Sequence, residues 1–236
     1  MKKQTFWTGI LLIFAAITFW ISWFLMPDPG TTDARHILEI VKVSRNFVWY
    51  SAITQIVSSV CYIIALFSLA DLITSQKKTT LSGFVLFGIG VLGMCSDAFF
   101  HLLAYYMIDD SVFIQENVII IMNFMQTKGV IILVPLLLSF FIGSLILSIG
   151  LKLQNVISKI PMVVFLITIF AGIPGAVIIN KIFLYKRSIV SLIILGTFAI
   201  GQAWIGLEII LRKIINKSRI LKIINIVYSQ IDFSFL

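Results

Sequence analysis

The chain contains six apolar runs, each close to the roughly 20 residues that an α-helix needs to cross a bilayer. With 60% hydrophobic and 12% charged residues, the chain has too little polar side-chain surface for a soluble globule. We therefore predict an all-α polytopic membrane protein, with a bundle of about six transmembrane helices within residues 1–213. The predicted spans are residues 6–26, 47–70, 81–105, 130–151, 160–179 and 189–211.

The basic residues predict an orientation. Lys2 and Lys3 precede the first apolar run, and a cluster that includes Arg212, Lys213 and Lys217 follows the last one. Because Lys and Arg gather on the cytoplasmic side of membrane proteins, we expect both termini to be cytoplasmic, in a bacterial plasma (inner) membrane. This placement beside apolar runs also accounts for the net charge of +8, so we expect no nucleic-acid partner.

Residues 214–236, which follow the last run, have the pattern of a cytoplasmic amphipathic tail. Apolar side chains between Ile220 and Ile231 share one helical face, whereas Lys217, Arg219 and Lys222 fall mostly opposite. A helix with these two faces lies on a membrane surface rather than crossing it. We therefore predict a surface helix on the inner leaflet.

Two shorter segments lie on the predicted outer side. The Pro- and Gly-containing stretch Met26–Gly30 cannot continue a helix, and Thr32 or Asp33 can then cap a new one over Ala34–Ser44. The apolar run Val118–Met125 is too short to cross a bilayer. We interpret it as an interfacial or re-entrant piece that precedes the fourth span.

Asp97 and His101 are ionisable residues inside the third predicted span. A central Asp costs about 2.5–3.5 kcal/mol on insertion scales, so such residues face the bundle interior and need partners. Their i, i+4 spacing puts them on one helical face, and the second span carries polar side chains at a similar depth. The sequence predicts a polar pocket open to the outer side, with these candidate residues: Asp97, His101, Gln55, Ser51, Tyr105 and Gln202.

Three interpretations of the Asp97 and His101 pair remain open at this point. The two side chains can hydrogen-bond each other and Gln55, which would only fix the helix register. They can form a solute or proton pathway in which Asp97 titrates and His101 relays the proton. They can also bind a metal, although a catalytic zinc usually has three protein ligands and the other candidates, His36 and Glu39, lie in a predicted loop. We expect no cofactor.

Several short stretches carry a family resemblance. They are Gly9–Ile13, Arg45 before the second span, Val60–Leu66 within it, and Gly206–Glu208 near the end of the last span. In this pattern, which covers most of the chain, the sequence resembles a bacterial six-span membrane family catalogued only as a domain of unknown function. That family's Gly-Leu-Pro-Leu-Gly stretch is matched more loosely, by residues 143–150 and 159–161. The resemblance implies a six-helix fold and no particular activity, substrate or catalytic residue.

The motifs of common enzyme classes are missing from the sequence. It has no Gly-x-Ser-x-Gly elbow, no His-Glu-x-x-His helix and no phosphate-binding Gly-Lys-Ser/Thr loop. Our leading hypothesis is the transport or sensing of a small solute through the predicted pocket. One alternative is a membrane-embedded enzyme that acts on lipid, with Asp97 and His101 as acid and base or as metal ligands. Another is a non-catalytic subunit that packs against a membrane-protein partner or a second copy through its small residues.

Overall fold

In a computed structural model of the chain, every described segment is a helix or a short connection. The structure describes residues 2–27, 33–70, 78–109, 115–172, 174–175, 178 and 187–230, without the side chains of residues 2–5, 115, 187–188 and 213–230. The α-helices in this part of the chain are α1 (Lys2–Leu25), α2 (Ala34–Val43), α3 (Arg45–Ala70), α4 (Lys78–Met107), α5 (Gln115–Phe124), α6 (Val130–Leu153), α7 (Ile160–Ile167) and α8 (Arg187–Gln230).

Five helical stretches of the described residues are long and apolar enough to cross a membrane. They are Phe6–Leu25, Arg45–Ala70, Lys78–Met107, Glu116–Leu153 and Ile189–Arg212. The described part of the chain is therefore all-helical, with several long apolar helices, as expected of the multi-pass membrane protein that the sequence predicts. The predicted fifth span, 160–179, is described only in part, as α7 and a π-helical turn over Thr168–Gly172. This apolar segment, Ile160–Gly172, is shorter than the others, so a count of six spans stays a prediction.

Hydrogen bonds between α1 and α3 fix the direction of the first two long helices. Ser51 Oγ donates to the carbonyl oxygen of Ser22, and Ser58 Oγ donates to that of Ala15, both at 2.7 Å. A higher residue number on α3 thus meets a lower one on α1, so the two helices are antiparallel. We call the end of the bundle where α1 ends and α3 begins the α2 end, because α2 lies between them in the chain.

Glycines bring α4 and α6 into close contact over the first half of α4. A Cβ atom at Gly90 would overlap the backbone of Phe140, and one at Gly143 would overlap the backbone of Phe87. Gly83 meets Leu147 in the same way. Small residues let helix backbones approach in this manner, and van der Waals packing then holds the helices together in lipid. The register shows that α4 and α6 are antiparallel.

Aromatic side chains fill the middle of the bundle, beside the glycine contacts of α4 and α6. Phe140 stacks on Phe87 with ring centroids 5.2 Å apart, and Tyr62 meets Phe140 edge-on at 5.5 Å. Phe198 of α8 packs against Phe140 at 5.2 Å, and Phe19 of α1 packs against it at 5.3 Å. These five rings, which we call the aromatic layer, are each at most 1% exposed.

The segment Val118–Met125, predicted as an interfacial or re-entrant piece, is helical and is not separated from α6. α5 passes through one π-helical turn, Met125–Gly129, directly into α6, so this segment belongs to one continuous helical stretch. Val118 and Met122 are buried in a small cluster with Val41 of α2. The segment lengthens the fourth span at the α2 end because none of its residues breaks a helix, and it packs against α2.

The end opposite α2 is closed by the connection between α6 and α7. Ser158 donates from its backbone N and from Oγ to the carboxylate of Glu208 on α8, and Trp204 Nε1 donates to the same carboxylate at 2.8 Å. Asn155 adopts a left-handed backbone with φ 55°, which lets the chain turn after α6. The connection is thereby attached to the last span.

α8 begins at the α2 end. Trp20 Nε1 donates to the carbonyl oxygen of Leu192 at 3.4 Å, and Gly9 lies against Gly206, so α8 is antiparallel to α1. α8 and α6 therefore run in the same direction. The helix continues to Gln230, but its side chains after Arg212 and all of residues 231–236 lie outside the described residues. The amphipathic tail of residues 214–236 stays a prediction.

Candidate functional site

The site is built on a hydrogen bond between α3 and α4. Gln55 Nε2 donates to Oδ2 of Asp97 at 2.9 Å and to the carbonyl oxygen of Met94 at 3.1 Å. Gln55 is 1% exposed and Asp97 is 7% exposed. A buried carboxylate needs such a donor because its removal from water is costly. The polar face of α3 thus holds one carboxylate inside the bundle.

His101 lies one helical turn further along α4. Its Nε2 is 4.0 Å from Asp97 Oδ1, which is too long for a hydrogen bond. The imidazole meets the indole of Trp23 edge-on, with ring centroids 6.5 Å apart and an interplanar angle of 90°. Within the described part of the chain, neither His101 Nδ1 nor Trp23 Nε1 has a hydrogen-bond partner, although both atoms are buried. Buried nitrogens without a partner are unusual in a protein interior, and here two neighbouring rings each carry one.

A cavity of about 230 Å³ lies beside these side chains at the α2 end of the bundle. α4 contributes a stripe at helical spacing, Asp97, Phe100, His101 and Ala104. The remaining wall comes from α1 and its end, from α2, and from the stretch that joins α5 to α6. These further lining residues are Trp23, Met26, Pro27, Ile37, Ile40, Val41, Met122, Met125, Gln126, Val130, Leu133, Val134 and Leu137.

α2 covers the cavity with its apolar face. Asp33 caps this helix, because its carboxylate accepts hydrogen bonds from the backbone N of Arg35 at 2.9 Å and of His36 at 3.2 Å. Ile37 and Val41, one turn apart, both line the cavity. The helix predicted to begin at Ala34 is therefore present with Asp33 as its cap, and it forms a roof over the site.

The π-helical turn Met125–Gly129 places two further side chains at the cavity. A π-turn inserts one extra residue per helical repeat and rotates the following residues about the axis, and such turns are frequent at functional sites. Here Met125 and Gln126 line the cavity, while Thr127 hydrogen-bonds only carbonyls of its own helix. The turn supplies the only amide side chain among the cavity's lining residues in the described part of the chain.

Of the six predicted pocket residues, only Asp97 and His101 line the cavity: Gln55 donates to Asp97 without lining it, and the other three lie elsewhere. Ser51 donates to Ser22 in the seam between α1 and α3, as given above. Tyr105 is covered by the guanidinium of Arg45, whose Cζ is 4.6 Å from the ring centroid. Gln202 Nε2 donates to Ser144 Oγ at 2.6 Å between α8 and α6. Depth alone suggested that these side chains would join the pocket, but their helical faces direct them to other neighbours.

Among the described residues, no third metal-ligating side chain lies with Asp97 and His101 at the cavity. His36 and Glu39 are exposed on α2 and do not line the cavity. In the described residues, no group of three or more His, Cys, Asp and Glu side chains lies close enough to hold a metal ion. Asp97 and His101 are left as a pair within a cavity whose other walls are mostly apolar.

Sequence reasoning missed the aromatic, thioether and amide side chains of the cavity. Trp23 sits near the end of an apolar run, a position typical of aromatic residues at a membrane interface. Met122 falls in the segment Val118–Met125, which was predicted to be separate from the fourth span, and Gln126 falls between that segment and the span. Among the cavity's lining residues, the sequence predicted Asp97 and His101, which share a helical face by their i, i+4 spacing.

The site thus combines one carboxylate, one imidazole and one amide with apolar and aromatic walls, beneath a capped surface helix. Such a mixture of a few polar groups in an apolar concavity is typical of small-molecule binding sites. No protein-family model, curated protein or solved structure matches the chain.

Proposed function

We propose that the chain binds a small solute in the cavity beneath α2, as a step in the transport or sensing of that solute. The observation that carries this proposal is the position of Asp97 and His101, which line a cavity of about 230 Å³ instead of being enclosed by packing. Ionisable residues within membrane spans usually mark substrate or ion pathways.

A purely structural role fits the geometry less well. If the pair only fixed the helix register, close packing would surround it, as it surrounds Gln202 and Ser144. Instead, Nδ1 of His101 has no partner within the described residues, and its Nε2 is too far from Asp97 for a hydrogen bond. The two side chains therefore gain little from each other, and the cost of burying them favours a role outside the fold.

The proposal includes an orientation and a sixth crossing. α6 and α8 run in the same direction, which supports a crossing in the opposite direction between them, and the apolar segment Ile160–Gly172 is our candidate for part of that crossing. With Lys2 and Lys3 on the cytoplasmic side of a bacterial plasma membrane, α2 and the cavity face the outer side. Both termini are then cytoplasmic. The six-span family resemblance agrees with this arrangement.

The aromatic layer separates the cavity from the cytoplasmic side. Phe87 lies about three helical turns before Asp97 on α4, so the rings of Phe87, Tyr62 and Phe140 lie further from the α2 end than the cavity does. A transport cycle requires these rings to move apart, whereas a sensor needs only α2 to respond to the bound solute. Binding of the solute and its uptake into proteoliposomes are measured together. A transporter should show both, and a sensor should show binding without uptake.

Cysteine labelling tests whether the cavity opens to the outer side. The background variant replaces both native cysteines, Cys61 and Cys95, with Ala. In that background, Gln126→Cys places a thiol in the cavity wall, and Leu103→Cys places one on an exposed apolar face at nearly the same depth. A thiol reacts as its thiolate, which forms in water and not in lipid.

We expect a charged, membrane-impermeant methanethiosulfonate reagent, added to intact cells, to modify the thiol at position 126 and to leave the one at position 103 unmodified. Modification at position 126 only after the cells are opened would overturn the outward orientation. No modification at position 126 under either condition would overturn the cavity as a solute site.

A further inference from the structure

We propose that the solute is a small organic cation, such as a protonated amine on an apolar body. This inference rests on the proposed function and adds the chemical class of the ligand. Three observations favour this class of ligand: the charge of the cavity, the carboxylate oxygen of Asp97 that has no hydrogen-bond donor, and the apolar and aromatic walls.

The cavity has one fixed charge, and that charge is negative. Asp97 is the only acidic side chain that lines it, and no Lys or Arg appears among its described lining residues. Arg45, a basic side chain near the same end, already covers the ring of Tyr105 and lies 3.9 Å from the carboxylate of Asp109. The only Asp, Glu, Lys or Arg in the described lining is thus an acidic residue, in a chain whose overall charge is +8.

The carboxylate of Asp97 is only half satisfied. Oδ2 accepts the hydrogen bond from Gln55, whereas Oδ1 has no hydrogen-bond donor among the described residues, the nearest nitrogen being His101 Nε2 at 4.0 Å. An ionised carboxylate oxygen can accept more than one hydrogen bond. An ammonium N–H at this position would form a charge-assisted hydrogen bond, which is among the stronger types.

The walls suit the apolar body of an organic cation. Trp23 and Phe100 provide aromatic rings, whose faces attract cations, and Met122 and Met125 provide adaptable thioether side chains. The volume of about 230 Å³ lies below the roughly 300–1,000 Å³ of pockets that hold drug-sized ligands. A bare ion would not fill this cavity, and a lipid would not fit within it.

The test compares two probes of the same size and shape, cyclohexylammonium and cyclohexanol. Binding of each is measured by calorimetry on the full-length protein in detergent, for wild type, Asp97→Asn and Glu208→Gln. Asp97→Asn removes the charge of the cavity while keeping the side-chain shape. Glu208→Gln removes a carboxylate charge at the opposite end of the bundle, and it controls for adsorption of the cation to the protein–detergent particle.

We expect wild type and Glu208→Gln to bind the cation about tenfold more tightly than the alcohol, or more, since charge-assisted hydrogen bonds are the stronger ones. Asp97→Asn should remove this preference. Equal binding of both probes to wild type, or a preference that persists in Asp97→Asn, would overturn the ligand class but leave the proposed function in place. If neither probe binds, the ligand class is wrong, and the labelling at position 126 separately decides the proposed function.

Discussion

The two halves of α4 meet α6 in different ways. In the first half, Gly83 and Gly90 let the two backbones touch, and no space remains between the helices. In the second half, Asp97 and His101 face a cavity whose α6 side consists of larger residues such as Leu133. The same pair of helices therefore forms a tight seam at one level and an opening at the next.

This difference teaches how a small bundle can hold a polar site within a membrane. The glycine seam provides the van der Waals contact that holds helices together in lipid. The other half of the helix is then free to carry groups that cost stability, as binding residues often do. The seam should be sensitive to added volume, and the cavity should be sensitive to lost hydrogen bonds.

The largest expected effect comes from filling the seam. Gly90→Leu should lower the free energy of unfolding by about 3 kcal/mol or more, because its side chain would push against the backbone of Phe140. The matched control is Gly88→Leu, since a Cβ at Gly88 meets only Leu66, at 3.8 Å. Thermal unfolding in one detergent measures both variants. Equal destabilisation by the two would contradict the close approach of α4 and α6.

A smaller loss is expected when Asp97 loses its donor. Gln55→Leu should cost about 1–3 kcal/mol, because the buried carboxylate would keep no hydrogen-bond partner. Adding Asp97→Asn to this variant should recover part of the loss by removing the unpaired charge. Thr54→Val serves as the control, as its hydroxyl bonds only carbonyls of its own helix. Recovery by the second substitution is the informative result, and its absence would show that the charge is not the source of the cost.

The smallest expected effect concerns the roof of the cavity. Asp33→Ala removes the cap of α2, which is worth about 1 kcal/mol. Because the loss is local, the overall unfolding temperature should change little, while backbone amides of α2 should exchange hydrogen faster. Hydrogen–deuterium exchange with mass spectrometry resolves this. Faster exchange spread over α4 and α6 as well would mean that α2 is part of the core and not a separate roof.

Much of the fold could be predicted from the sequence, because hydropathy and length largely determine helices in lipid. The long runs, and Asp33 as a helix cap, follow from local patterns. The run Val118–Met125 was separated from the fourth span because of its length, although none of its residues breaks a helix. The packing of Val118 and Met122 in one cluster with Val41 of α2 could not be predicted, because α2 is distant in sequence.

The candidate site could be predicted only in part. Asp97 and His101 share a face of α4 by their spacing, and Gln55 reaches Asp97 because the two helices adjoin. Ser51 has nearly the same depth but points at α1, and Gln202 lies between α8 and α6. Depth follows from sequence position, whereas the direction of a side chain depends on how each helix is rotated against its neighbours.

The most direct measurement is the unfolding temperature of Asp97→Asn beside that of wild type, in the same detergent and without ligand. Asn keeps the shape of Asp and an oxygen that can accept the hydrogen bond from Gln55, so the change isolates the charge. If Asp97 is kept for binding at a cost to the fold, the variant should unfold at the same temperature as wild type or higher. An unfolding temperature several degrees lower would show that the charge stabilises the bundle, and it would contradict the assignment of Asp97 to a solute site.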